Sequence, residues 1–74
     1  MEARVLVETR RKPIAGTPMV SVSVELREDG WRRTEAFLIK DGDGAFKRAQ
    51  LDAAIPRFLR TEGKPQTFSW VEWA

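Results

Sequence analysis

The chain has 74 residues, with 13 basic and 11 acidic side chains and with neither histidine nor cysteine. Disulfides and the common zinc ligand sets are therefore excluded, together with any chemistry that needs a histidine or a cysteine. A chain of this length buries only a small core, so we expect either a partner chain or very good packing.

The remaining composition argues for binding rather than catalysis. The net charge of +2 comes from interspersed acids and bases, which is typical of an ordinary solvated surface. Only Asp, Glu and Lys are left for acid–base work, and one helix on a small sheet forms no deep pocket. We therefore expect a protein that is not an enzyme and binds no cofactor. Apolar runs are too short for a signal peptide or a membrane span, so the cytoplasm is the default expectation.

The N-terminal third predicts a strand followed by a loop. Residues 2–9 place Val5 and Val7 on one face and Glu8 on the other, and β-branched residues at alternate positions are typical of a strand. Two prolines and a glycine lie within residues 10–18, a composition that predicts a loop.

The central part predicts a hairpin. Residues 19–27 alternate between apolar and polar side chains, as in a strand with one buried face. Glu28, Asp29 and Gly30 form the turn, and residues 31–40 form the returning strand.

Two registers are possible for this hairpin. A two-residue turn pairs Val22 with Phe37, whereas a three-residue loop pairs Val22 with Ala36. A slip of one residue moves every side chain to the other face. We favour the three-residue loop because it also pairs Glu25 with Arg33.

A helix and a last strand follow. Helical spacing connects four apolar residues, Leu51, Ile55, Phe58 and Leu59. If Asp52 is the N-cap, Pro56 lies in the first turn, where its missing N–H costs little. A start near Lys47 would instead require a kink at Pro56. Gly63 ends the helix, and residues 66–74 read as a strand with large apolar groups on both faces.

These elements follow the order β-β-β-α-β. Layer packing then predicts one α+β domain over residues 1–74, with a mostly antiparallel sheet and one helix across one of its faces. The loop from Asp41 to Gly44 resembles a calcium loop only faintly, because the later positions hold no further ligands. We predict that it is a turn and that the chain holds no metal.

The preferred functional hypothesis is a protein contact. In either hairpin register an apolar pair from residues 37–39 and their neighbours falls on the sheet face away from Val22, and the last strand also carries apolar groups on both sides. The face away from the helix is therefore not wholly polar, and such a patch marks a contact surface. The expected interface residues are Trp73, Val71, Phe37 and Trp31. The partner would be another protein or a second copy, as in a homodimer. The size and the lack of catalytic residues would suit a small modulator or inhibitor of the kind that phages carry.

The alternative hypothesis is nucleic-acid binding. Basic residues occur in three short clusters, at residues 10–12, 32–33 and 47–48, and arginine and lysine at such positions can contact phosphates. Trp31 could serve as a stacking platform for a base. The residues expected to contact phosphates are Arg10, Arg11, Lys12, Arg32 and Arg33.

Overall fold

The computed structural model describes residues 1–73. Four strands and one helix follow in the order β1 (Glu2–Ile14), β2 (Thr17–Glu28), β3 (Trp31–Lys40), α1 (Gly44–Thr61) and β4 (Ser69–Trp70). The predicted α+β order β-β-β-α-β is confirmed. The strands lie in the sheet in the order β3-β2-β1-β4, and β4 runs parallel to β1, so the sheet is mixed.

The predicted loop over residues 10–18 is wrong, because β1 and β2 continue as a hairpin almost to its end. Ile14 pairs with Thr17, and the two turn residues between them, Ala15 and Gly16, have φ angles of 51° and 80°. Two positive φ angles are what a two-residue hairpin turn needs. Pro13 falls within an irregularity of the pairing, where a proline removes no regular ladder hydrogen bond.

An irregularity near the start of β1 changes which side chains face the helix. Val5 pairs with Val24, but Val7 already pairs with Ser23, so Leu6 is an extra residue on this strand. Val5 remains half-buried on the helix side, whereas Val7 is 52% exposed on the other side. The prediction that Val5 and Val7 share a face is therefore wrong.

The hairpin between β2 and β3 has the register that we did not favour. Val22 pairs with Phe37, so the turn contains two residues and the three-residue loop is wrong. Glu25 still finds a cation, because Arg32 lies diagonally across the strands with 3.6 Å between Nη1 and Oε2. Charge pairing on this face therefore does not discriminate between the two registers.

The N-cap of helix α1 lies nine residues before the predicted one. Asp43 is the N-cap, and its carboxylate accepts a hydrogen bond from the N–H of Phe46 at 2.8 Å. The Asp52 cap is wrong, since Asp52 lies within the helix and accepts a hydrogen bond from the indole N–H of Trp70 at 2.7 Å. Pro56 is inside the helix, and Gly63 follows its end with a φ angle of 68°.

The core lies between α1 and one face of the sheet. Leu51, Ile55 and Leu59 of the helix are fully buried, and so are three residues of β2, Val22, Val24 and Leu26. The last predicted strand, residues 66–74, is shorter in the structure, where only two residues pair with β1, and Ala74 lies outside the described residues. The opposite face of the sheet, which we call the open face, has no layer packed on it within residues 1–73.

Candidate nucleic-acid interface

The aromatic residues expected in a protein interface pack on the helix side. Trp73 contacts Trp70 edge-to-face, with 4.8 Å between the ring centroids, and packs against the core. Its expected position on the open face is therefore wrong. Phe37 meets the ring of Phe58 at 6.1 Å, and Trp31 also packs against the core. Whether these side chains bind a protein partner stays a prediction.

Val71, the fourth residue of that set, extends the contact between the last strand and β1. Its backbone N–H donates a hydrogen bond to the carbonyl of Ala3 at 2.8 Å, and the residue is half-buried. This position ties the C-terminal segment to the sheet. The four expected interface residues therefore do not form one exposed apolar surface.

The open face itself carries mainly hydroxyl and charged groups. The residues that point outward from β2 alternate with its buried valines, and they are Met19, Ser21, Ser23, Glu25 and Arg27. Leu38 of β3 lies opposite Ser21 and is 54% exposed, and Val7 of β1 lies opposite Ser23. Met19 is a third apolar side chain on this face, and Leu6, next to Val7 in the chain, is 50% exposed. Apolar side chains among polar neighbours are normal for a protein surface.

The structure separates the five predicted phosphate contacts into two groups. Arg32 pairs with Glu25, and Arg33 pairs with Glu62 at 2.6 Å and lies over the ring of Phe58. Both arginines of this group are therefore already engaged in holding β3 to its neighbours.

The second group lies at the other end of the sheet. Arg10, Arg11 and Lys12 are exposed, and none of them forms a salt bridge within residues 1–73. Arg11 pairs with Met19, eight positions along β2 from the partner of Arg32. At about 3.3 Å per residue, the two groups are about 26 Å apart. The sequence indicated part of this division, because the predicted hairpin already paired Glu25 with an arginine of β3, whereas Glu62 comes from a distant part of the chain.

The unpaired cations lie where a hairpin begins to project from the sheet: Arg10 and Arg11 are in the last two rows shared with β3, and Lys12 lies beyond them. The last residue of β3, Lys40, pairs with Met19, so the chain beyond this row is a ribbon of only two strands. We call residues 10–18 the basic arm. From Thr9 to Val24 the chain contains these three cations and no acid. The molecule is correspondingly elongated, with extents of 40 × 24 × 17 Å.

Acidic residues near the base of the basic arm already have partners. Glu8 binds the ammonium of Lys47 at 3.0 Å, Asp43 caps the helix, and the Asp41 carboxylate accepts a hydrogen bond from the next backbone N–H at 2.8 Å. Asp41 and Asp43 keep their negative charge, because a hydrogen bond from a neutral N–H does not cancel it, but no carboxylate within residues 1–73 forms a salt bridge with the basic arm. Exposed like charges on one projection raise the local potential and attract anions.

Lys40 adds a fourth cation, which sequence reasoning missed. Arg11, Met19 and Lys40 form one row across the sheet, and Met19 points to the open face. With strands about 4.8 Å apart, the two cations stand about 10 Å apart on that face. The pairing of β2 with β3 is what brings Lys40 there, and only the correct hairpin register could have identified it.

No family model, curated protein or solved structure matches this chain. Within residues 1–73, no helix has the length and apolar character that crossing a membrane requires. The same part of the chain contains no cluster of three or more metal-ligating side chains.

Proposed function

We propose that the chain is a non-enzymatic protein that binds double-stranded nucleic acid through its basic arm. The observation that carries this proposal is the set of three exposed cations, Arg10, Arg11 and Lys12, which have no acidic partner in residues 1–73. Phosphate contacts by such residues release counterions and supply most of the affinity of non-specific binding. Two-stranded ribbons are among the elements that enter the grooves of DNA.

A duplex fits the structure better than a single strand. Binding of a single strand relies on aromatic side chains on which the bases stack. Trp31, the expected platform, lies at the opposite end of β2 from the basic arm, and the ammonium of Lys64 is 5.0 Å from its ring centroid. The basic arm itself contains no aromatic residue.

The test is a salt titration. The affinity for a short labelled DNA duplex is measured by fluorescence anisotropy from about 50 to about 200 mM salt, for the wild type and for the arm variant Arg10→Ala, Arg11→Ala, Lys12→Ala. Each lost phosphate contact makes the slope of log K against log salt shallower by about 0.9, so we expect a change of about 2.7 if all three contact phosphates.

The control removes the same charge elsewhere. Arg27, Arg57 and Arg60 are exposed, form no salt bridge within residues 1–73 and lie outside the basic arm, so their joint replacement by alanine should leave the slope nearly unchanged. An equal loss in both triple variants would refute the assignment to the basic arm. Wild-type binding that does not depend on salt, or no binding at all, would refute the proposed function.

Docking on another protein or on a second copy is the competing outcome. It would show as salt-insensitive association that Leu38→Ser, on the open face, abolishes while the arm variant leaves it intact. A measurement of mass in solution, made alongside the titration, distinguishes a second copy from a different partner.

A further inference from the structure

We propose that the tip of the basic arm inserts Ile14 into the minor groove as an apolar wedge and bends the duplex. This inference depends on the proposed function, since the cations must first bring the basic arm to the duplex. Inserted apolar side chains partly unstack a base step and kink the double helix by about 20–90°.

The apolar groups of the chain's projecting part are concentrated at its tip. Ile14 is 53% exposed although it ends a strand, and Pro13 and Pro18 are exposed beside it. A single exposed aliphatic residue would need no explanation. Here three apolar groups lie on the one ribbon that extends past β3, directly beyond its cations. Because the apolar tip lies next to cations, an anionic double helix is the partner whose chemistry matches it.

The shape of the tip suits a narrow groove. The leading residues are Ala15 and Gly16, the two smallest side chains, and Ile14 stands immediately behind them. The minor groove is about 6 Å wide and about 7.5 Å deep. Arg11 is three residues behind Ile14, a span of about 10 Å in an extended strand. The guanidinium can therefore remain near phosphates at the groove edge while Ile14 reaches the bases.

Two prolines and one hydrogen bond at its base also restrict the conformation of the basic arm before it binds. Proline restricts φ at Pro13 and Pro18, and the backbone N–H of Asp41 donates a hydrogen bond to the carbonyl of Pro18 at 2.9 Å. A preorganised segment loses little conformational entropy on binding. Unstacking costs a few kcal/mol per step and is least costly at flexible pyrimidine–purine steps. We therefore expect duplexes with a central TA step to be bent more readily than stiff A-tract duplexes.

Energy transfer between dyes at the two ends of a duplex with a central TA step measures the bend. We expect the wild type to shorten the end-to-end distance. Ile14→Thr keeps a β-branched side chain but adds a hydroxyl, and it should abolish the shortening while the salt slope of binding stays at the wild-type value. Ile14→Val keeps an apolar wedge and should still bend the duplex. Leu38→Thr is the control, because Leu38 is equally exposed, at 54%, but lies outside the basic arm.

The outcomes separate this inference from the proposed function. Salt-dependent binding by the wild type without any bend would overturn the wedge and leave the proposed function in place. Full bending by Ile14→Thr would overturn it as well. Loss of salt-dependent binding in the wild type itself would overturn the proposed function and the wedge with it.

Discussion

Two leucine-to-alanine substitutions on opposite sides of the sheet should differ widely in cost. Leu59 of α1 has no exposed surface and belongs to the core, whereas Leu38 of β3 is 54% exposed on the open face. The chemical change is identical at both positions. Any difference in the free energy of unfolding therefore reports the environment of the side chain.

The expected magnitudes follow from burial. Leu59→Ala removes three buried carbon atoms, worth about 2.4 kcal/mol in transfer free energy, and leaves a cavity that brings the cost to about 3–4 kcal/mol. A chain of this length has a total stability of about 4–11 kcal/mol. The variant should therefore melt about 12–32 °C lower. Leu38→Ala should cost less than about 1 kcal/mol, because that side chain remains largely in water.

Thermal and urea unfolding of both variants, followed by circular dichroism, measures the difference. Equal losses at the two positions would refute the reasoning, because they would show that the open face is covered in solution. Repeating the melts at several protein concentrations shows whether a second copy of the chain covers the open face, since stabilisation by a second copy rises with concentration.

Two further predictions concern the attachment of α1. Asp43→Ala removes the N-cap and should cost about 1 kcal/mol, whereas Asp43→Ser should recover most of it; urea unfolding that shows no loss for Asp43→Ala would contradict the cap. Trp70→Phe removes the 2.7 Å hydrogen bond from the indole N–H to Asp52. Because this bond is exposed to solvent, its loss should lower the free energy of unfolding by no more than about 1 kcal/mol. In an Asp52→Ala background the same change should cost less, and an unchanged cost in this double-mutant cycle would contradict the bond.

The sequence predicts β2 well because the alternation of apolar and polar residues is enough to show which side chains face the core. Val22 and Val24 are fully buried while Ser21 and Ser23 point outward, as alternation requires. The start of the helix could not be identified in the same way. Asp43 and Asp52 both precede residues with helical spacing, and an aspartate at either position is a suitable N-cap. Burial of Leu51 requires a helical turn before Pro56, and that tertiary contact outweighs the preference of proline for the first turn.

The candidate site was less predictable than the fold. The prolines of residues 10–18 indicate a loop by composition. Only the pairing between β1 and β2 shows that a two-stranded ribbon accommodates them. Trp73 was expected on the open face by simple alternation after Trp70. Glu72, however, has a φ angle of 69°, and this turn returns Trp73 to the side of Trp70. No glycine at that position signals the turn.

The extra residue near the start of β1 determines where the later charges of that strand point. Because Leu6 shifts the phase, Glu8 lies opposite the buried Val22 and reaches Lys47, and Arg11 points to the open face. Deleting Leu6 alone would restore a regular ladder between Val5 and Arg11 without moving any later side chain to the other side of the sheet. If Leu6 were instead paired in regular register, Glu8 and Arg11 would each move to the opposite side, so the local detour of the backbone at this one residue preserves the distribution of charge between the two faces.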